Sequence, residues 1–262
     1  MTGLVSLPMY DWPEVSDALD RLWGSIRQSL DELGVDAPVE RARPDESITH
    51  WRNPSLLLSQ TCGLPLRRHL LDAVTVIGAF DHRLPATDPG DYHSVVIVRD
   101  GHPATTIGEI QQATAAVNTA DSQSGHAALR HALIGHAGSI TRVVSSGSHR
   151  RSVQFVAAGQ ADIASIDAVS WELARSHEPA AAGCRVLTRT PPTPGLPLIT
   201  AGCDAALLPH LRLATAHGID LLDPADRDRL HLHALVGRSA DDYALLEQRW
   251  SEADEAGVPV LL

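Results

Sequence analysis

The sequence is poor in basic and aromatic residues. Its 262 residues contain 21 Lys and Arg against 32 Asp and Glu, which gives a net charge of −11. An acidic chain lacks the clustered cations that displace counterions from nucleic acid, and an aromatic content of 4% leaves few side chains for base stacking. We therefore expect no nucleic-acid partner. The hydrophobic content of 44% is ordinary for a globular chain with ample core.

Cysteines are also few, and they follow no metal or disulfide pattern. Cys62, Cys184 and Cys203 are widely spaced and form no CxxC motif, so we expect free thiols in a reducing compartment. A pairing of Cys62 with Cys203 is left open. Cys62 begins a predicted helix, where a thiolate is favoured, but no motif supplies a base for a catalytic role. His231 and His233 form an H-x-H pair without a third ligand, so we predict neither a metal site nor a cofactor.

Long hydrophobic runs are missing as well. Residues 1–15 contain no basic segment followed by an apolar one, which an export signal requires. No apolar run reaches the roughly 18 residues that a membrane-spanning helix needs. The sequence as written therefore predicts a cytoplasmic protein that is not inserted in a membrane. If a leader has been removed, the expected location is the periplasm.

Short apolar runs alternate with segments of helical periodicity, which is typical of an α/β fold. We predict strands over residues 4–10, 56–59, 74–80, 95–98, 115–118, 141–144 and 163–166. We predict helices over residues 15–33, 63–71, 107–112, 124–135, 148–158, 171–175, 204–217 and 241–256. Asp11 and Glu14 have the spacing of a capping box for the first helix. Ile199 and residues 258–261 are predicted to form edge strands.

The expected organisation is two α/β lobes joined by a hinge. Four prolines lie within residues 191–197, where the chain should be extended and unsuited to a helix interior. A second crossing is expected near residues 92–93. We therefore predict that residues 1–92 and 191–262 form lobe 1 and that residues 93–190 form lobe 2.

Candidate binding residues follow the predicted strands, because ligands of open α/β sheets bind at the carboxyl ends of strands. Residues 121–125 (DSQSG) and 145–149 (SSGSH) each combine hydroxyls, glycine and a helix start, which together suit a small anion. Asp167 follows a third strand and is expected either to cap the next helix or to accept a hydrogen bond from a ligand or from His149. For the serines, too, helix capping is the simpler alternative.

Two positions of the first lobe complete the candidate set. Thr61 follows a strand and precedes a helix, and Tyr10 follows the first strand; capping and core packing are their respective alternatives. The predicted ligand-binding residues are Tyr10, Thr61, His93, Ser122, Gln123, Ser124, Gly125, His149 and Asp167.

Four segments, in their order along the chain, resemble the phosphate, phosphite and phosphonate substrate-binding proteins of ABC importers. They are residues 92–98 (YHSVVIV), 121–125 (DSQSG), 147–149 (GSH) and 158–167 (AGQADIASID). The last is the most specific, with a helix end, an A-G-x-A-D turn, a strand and a terminal Asp. The resemblance covers most of residues 4–200. It implies the type 2 periplasmic-binding-protein fold, in which two lobes, each a mixed sheet flanked by helices, close on a ligand.

The resemblance also implies roles for individual residues. The matching positions are Ser122, Gln123 and Ser124 in the phosphonate-binding loop, His149 and Asp167 as ligand contacts, and Tyr10 as a first-lobe aromatic contact. Gln123 departs from the hydroxyl that the family commonly has there, and His93 from a frequent Tyr. Both can still form hydrogen bonds, but the two departures leave open a ligand that is neither phosphate nor an alkylphosphonate.

The sequence thus predicts a non-catalytic solute-binding protein that captures a small anionic or polar metabolite between two lobes. The expected ligand is a phosphonate, phosphite, phosphate or similar oxyanion, and the expected partner is an ABC permease. One alternative is a cytoplasmic enzyme of the same fold, of the thiamine-pyrimidine or menaquinone-precursor type, with His93, His149 and Asp167 as acid/base groups. Another is a ligand-sensing module.

Overall fold

The computed structural model describes residues 3–44, 48–136, 138–202 and 206–262. Its strands are β1 (Leu4–Val5), β2 (Leu56–Gln60), β3 (Val74–Asp81), β4 (Asp91–Tyr92), β5 (Ser94–Arg99), β6 (Ala113–Val117), β7 (Ile140–Ser145), β8 (Ile163–Asp167), β9 (Cys184–Arg189), β10 (Thr193–Pro194), β11 (Pro197–Ala201) and β12 (Ala234–Val236). The first predicted strand is much shorter than expected, and residues 258–261 form no strand.

The α-helices are α1 (Ser16–Glu32), α2 (Ile48–Trp51), α3 (Gly63–Pro65), α4 (Ala128–Ala132), α5 (His149–Ala157), α6 (Ala168–His177), α7 (Leu207–Leu221), α8 (Pro224–Arg229) and α9 (Ala244–Glu255). A π-helical turn, Leu66–Leu70, continues α3, and another, Gln123–Ala127, leads into α4. Short 3-10 turns cover Ile107–Glu109, Pro179–Gly183 and Asp241–Tyr243.

The chain forms two compact units. Unit 1 is Met1–Asp91 with Pro194–Ala244, and unit 2 is Tyr92–Thr193 with Leu245–Leu262. These bounds differ from the expected ones mainly at the C-terminus, which the sequence analysis assigned to lobe 1. The difference has a physical cause, since Ala253, Val258 and Leu261 are buried in the apolar core of unit 2.

Unit 1 contains a five-stranded sheet in the order β1-β2-β11-β3-β12. β1 is parallel to β2, and β11 is antiparallel to both β2 and β3. The carboxyl ends of β1, β2 and β3 therefore lie at one edge of the sheet. The prediction that Ile199 lies in an edge strand is wrong, because β11 is central and Ile199 is fully buried. Its sequence, PLITA, is nearly all apolar and suits a strand covered on both faces.

Helix α1 packs a regular apolar face into unit 1 and ends before Gly34, whose φ of +72° suits a residue without a side chain. The predicted capping box is wrong. The N-cap is Val15, and no side-chain capping bond is found there within the described chain. Asp11 instead accepts hydrogen bonds of 2.6 and 2.9 Å from the buried guanidinium of Arg41. A charge-assisted, bidentate pair of this kind is stronger than a bond to a backbone N–H.

Unit 2 contains a second five-stranded sheet, in the order β7-β6-β8-β5-β9. β6 is parallel to β7 and β8, and β5 is antiparallel to β8 and β9. The carboxyl ends of β6, β7 and β8 therefore meet at one edge, where β5 begins with Ser94 opposite Asp167. This edge gathers the turns that the sequence analysis selected.

Cys62 and Cys184 are described, and Cys184 is a free thiol. Burial raises the pKa of Cys184 to about 11, so this thiol is not poised for reaction. Cys203 lies outside the described residues, as does the open pairing of Cys62 with it. Within the described ranges, no helix is long and apolar enough to cross a membrane.

Candidate functional site

Polar residues collect at the carboxyl edge of the unit 2 sheet. The β6 strand leads into residues 118–125 and β7 into residues 145–149, while β8 ends at Asp167 and His93 precedes β5. Because these strands are neighbours in the sheet, their adjoining turns lie along one edge. The predicted site residues in unit 2 are His93, Ser122, Gln123, Ser124, Gly125, His149 and Asp167.

The loop after β6 is held closed by its own serines. Ser122 Oγ accepts a hydrogen bond of 2.9 Å from Gly125 N, so the capping role weighed for Ser122 is observed. Ser124 O accepts a bond of 2.6 Å from Ser165 Oγ on β8. The loop opens a helical stretch over residues 123–132, whose dipole favours an anion at its start.

Gly125 allows three segments to approach closely. A Cβ built at this position would lie 1.9 Å from Asn118 Oδ1 and 3.2 Å from His149 Cε1, so only glycine fits. Asn118, which the sequence analysis treated as the end of a strand, therefore belongs to the site. Its Oδ1 is buried and has no hydrogen-bond partner among the described residues.

Ser124 and His149 form the central pair of the site. Ser124 Oγ lies 2.8 Å from His149 Nε2. Burial lowers the pKa of His149 from 6.5 to about 4, so its ring is neutral near pH 7 and carries one N–H and one lone pair. His149 Nδ1 is buried and lacks a hydrogen-bond partner within the described part of the chain.

This pair retains one donor in either tautomer. If the Ser124 hydroxyl donates to Nε2, then Nδ1–H of His149 remains to donate elsewhere. If Nε2–H donates to Ser124 Oγ, then the hydroxyl hydrogen remains available. Two hydrogens are thus shared between two groups that use only one in their mutual bond. The pair is suited to an acceptor-rich ligand.

The turn after β7 contributes less to the site than the sequence predicts. Ser146 Oγ bonds to Ser152 Oγ at 2.6 Å and to Val117 O at 3.3 Å, and Ser148 Oγ caps α5 through Arg151 N at 3.2 Å. Both hydroxyls therefore stabilise the fold, which agrees with the structural role given above as the simpler alternative for the serines. His149 is the residue of this turn that reaches Ser124.

Asp167 and His93 stand at the edge where β8 and β5 meet. Asp167 Oδ1 accepts bonds of 2.8 and 3.0 Å from the first-turn N–H groups of Val169 and Ser170, which is the expected capping role. His93 is buried, and this burial, helped by Arg189, lowers its pKa. Gln123 is buried as well.

In unit 1, Tyr10 follows β1 and Thr61 follows β2 at their common edge. Thr61 is fully buried, and its Oγ1 lacks a hydrogen-bond partner in the described ranges. Thr61 does not cap α3, because the N-cap is Cys62, and no side-chain capping bond is found there in the described structure. The capping alternative for Thr61 is therefore wrong, and the reason is that its hydroxyl is not directed to a first-turn N–H.

His82 is a residue that sequence reasoning missed. It follows β3 at the same edge of unit 1, and its ring packs edge-on against Tyr10 with centroids 5.4 Å apart. Its Nδ1 donates to His231 O at 2.8 Å, and burial lowers its pKa to about 4. The available signal is the position directly after a predicted strand, which also selects Thr61.

The H-x-H pair plays no part as a metal site in the described structure. His231 uses its carbonyl oxygen, not its ring, to hold His82. Over the described residues, no group of three or more His, Cys, Asp or Glu side chains is arranged to hold a metal ion.

Comparison with known proteins places these features in a family. The family described as "ABC transporter, phosphonate, periplasmic substrate-binding protein" matches residues 71–212, more than half of the chain. No curated protein sequence matches the chain significantly.

Solved structures share the fold at low sequence identity. PhnD1 from Prochlorococcus marinus, in complex with methylphosphonate, has a TM-score of 0.75 at 16% identity, covering 97% of this chain and 99% of that one. XAC2383 from Xanthomonas citri, bound to ATP, has a TM-score of 0.71 at 16% identity and covers 98% of both chains. A binding protein component of an ABC phosphonate transporter from Pseudomonas aeruginosa (PA3383) has a TM-score of 0.66 at 14% identity, covering 98% and 88%.

These matches confirm the predicted α/β fold of periplasmic binding proteins and the predicted family. The family consists of substrate-binding transport proteins, which agrees with the prediction of a non-catalytic role over the enzyme alternative. The chain belongs to the family of periplasmic substrate-binding proteins of phosphonate ABC transporters.

Proposed function

We propose that this protein binds a small oxyanion of the phosphonate class through the Ser124–His149 pair and the helix start around Gly125. The observation that carries the proposal is the unused hydrogen-bonding capacity of that pair. Ser124 and His149 satisfy each other once, and His149 Nδ1 is buried without a partner among the described residues. An unpaired buried polar group costs about 1–3 kcal/mol, so a ligand that pairs it gains that amount.

The chemistry of the site favours an oxyanion. Its donor is a hydroxyl or imidazole hydrogen at the start of a helix, where the helix dipole favours negative charge. A phosphonate, phosphite or phosphate offers several oxygen acceptors in a tetrahedral group. The net charge of −11 is spread over the whole chain and does not prevent such local binding. The methylphosphonate bound by PhnD1 makes that compound the first probe.

The proposal is tested by titration calorimetry of the purified protein. The probes are methylphosphonate, phosphite, phosphate, methanesulfonate and ATP, the last because XAC2383 binds it. We expect at least one tetrahedral oxyanion to bind. Ser124→Ala and His149→Ala each remove a polar partner and should weaken binding about 10- to 100-fold. Their combination should abolish measurable binding.

A matched control lies in the neighbouring turn. Ser145 ends β7 and is exposed, so Ser145→Ala removes a hydroxyl from the same edge of the sheet without touching the pair. It should bind as the unsubstituted protein does. If no oxyanion binds, or if the Ser124 and His149 variants bind as tightly as the Ser145 control, the proposed site is wrong.

We further propose that the protein works in the periplasm and delivers its ligand to an ABC permease, as its family does. We also propose that further residues contact the ligand. They are His93, Gln123, Asp167, Tyr10 and Thr61, and the affinity of a variant at each position, measured in the same titrations, tests each contact. Uptake of radiolabelled ligand by cells that lack this protein tests the transport role. Uptake should fall and should return with the unsubstituted protein, but not with the Ser124→Ala, His149→Ala double variant.

A further inference from the structure

The C-terminal segment Leu245–Leu262, here called the strap, belongs to unit 2. It packs against the helical stretch over residues 123–132, which begins in the loop after β6, here called the binding loop. Ala253, Val258 and Leu261 of the strap share an apolar core with Leu129 and Leu133. Apolar packing of this kind holds a segment in place but does not fix the geometry of a particular loop. Two buried polar residues on the helix supply that second, directional part.

Arg130 anchors the strap to the helix. Its side chain is buried, and it donates to Pro259 O at 3.0 Å, to Val258 O at 2.6 Å and to Asp254 Oδ1 at 2.5 Å. Its guanidinium also lies over the Trp250 ring, 4.1 Å from the centroid. A buried cation with three partners on one segment makes that segment an integral part of unit 2.

His126 joins the strap to the binding loop itself. It follows Gly125 directly, and it is 1% exposed. A carbonyl only accepts, so the 2.6 Å contact with Ala120 O means that Nδ1 carries a hydrogen. A backbone N–H only donates, so the 3.1 Å contact with Leu261 N means that Nε2 accepts. One neutral ring therefore connects the start of the loop to the end of the strap.

We propose that the strap positions the binding loop and that the strap acts on this loop through His126. The inference rests on the proposed function of that loop. Ser122 and Ser124 belong to the same turn as Ala120 and His126, so the bond to Leu261 fixes the turn from outside. His126 is a positioning residue, since its two ring nitrogens are occupied by the protein.

The test compares His126→Leu, which removes both ring bonds, with His126→Gln, whose amide oxygen can still accept from Leu261 N. A second pair shortens the chain by Leu262 alone, which is 45% exposed, or by residues 261–262, which removes the donor. The methylphosphonate affinity is measured at a temperature where far-UV circular dichroism shows every variant folded. Amide spectra by ¹H–¹⁵N correlation report the environments of Ser124 and Gly125.

We expect His126→Leu and the loss of residues 261–262 to weaken binding about tenfold or more and to shift the Ser124 and Gly125 amide signals. His126→Gln should recover part of the affinity, and loss of Leu262 should change neither readout. If the folded variants bind with unchanged affinity and keep both amide signals in place, the strap only stabilises unit 2 and the inference is wrong. If the unsubstituted protein binds no oxyanion, the proposed function fails, and the amide shifts alone then decide whether the strap positions the loop.

Discussion

The neutral, partly buried His149 of the candidate site makes stability dependent on pH. Burial lowers the pKa of His149 from 6.5 to about 4, which corresponds to about 3 kcal/mol between its two protonation states. The folded state resists protonation, so between these values the unfolded chain binds more protons. Stability is therefore complete above pH 6.5, falls as the pH decreases towards 4 and is constant below that. At pH 5, His149 accounts for a loss of about 2 kcal/mol.

The perturbation that isolates this effect is His149→Gln, because glutamine does not titrate. Urea unfolding followed by circular dichroism at pH 7.5 and 5.0, without ligand, gives the free energy of unfolding at each pH. We expect the difference between the two to be smaller in the variant by about 2 kcal/mol. A slope remains, since burial also lowers the pKa values of His50, His82 and His93.

The control for this experiment is His210→Gln, which removes an exposed imidazole from α7. It should leave the pH dependence unchanged. If His149→Gln has the same pH dependence as the unsubstituted protein, then His149 is accessible to water and to protons in the folded state. The reasoning that assigns it a neutral, buried role would then be refuted.

Four further substitutions test other parts of the structure. Gly125→Ala should abolish oxyanion binding in titration calorimetry, because its Cβ would lie 1.9 Å from Asn118 Oδ1. A Cβ at Gly24 in α1 meets no heavy atom within 4 Å, so Gly24→Ala should raise the free energy of unfolding in urea by about 1 kcal/mol. Thr61→Val should raise the free energy of unfolding by about 1 kcal/mol, since it removes a hydroxyl without a partner in the described chain; a loss of that amount would mean that the hydroxyl is paired. Asp11→Ala should lower it by about 2 kcal/mol, because Arg41 loses its bidentate partner while its Nε still lies 2.8 Å from Asp20 Oδ1, and no change would contradict the pairing.

Much of the fold follows from periodicity alone. Alternating apolar runs and helical faces locate most strands within a few residues, because the spacing of apolar side chains is a local property. The errors occur where contacts with segments distant in sequence determine the position of a strand or the partner of a side chain. Ile199 lies centrally because β2 and β3 flank it, and Asp11 turns from the helix because Arg41 offers a stronger partner. The position of the strap depends on a core that the local sequence does not reveal.

The site is predictable in outline but not in its pairing. The turns after strands point to Ser124 and His149 as candidates, and the family resemblance implies a ligand-binding role for them. Which hydroxyls remain for a ligand depends on neighbours in space: Ser146 and Ser148 have the same composition and setting as the binding loop, yet both are used by the fold. No pattern in the sequence indicates that Asn118 belongs to the site, because this follows only from its close approach to Gly125 in space.

The shared hydrogens of Ser124 and His149 would allow the proposed site to bind an oxyanion in more than one protonation state. A fully deprotonated oxyanion needs donors, and the pair offers one in either tautomer. A singly protonated oxyanion also carries a donor of its own, and the tautomer with Nε2–H leaves the Nδ1 lone pair to accept it. This exchange requires a neutral ring, and the burial that lowers the pKa of His149 to about 4 maintains neutrality through the range in which phosphonates titrate. The desolvation of His149 therefore has two effects. It keeps the ring neutral, so that either tautomer can pair with the ligand, and it makes the stability of the protein fall in acid.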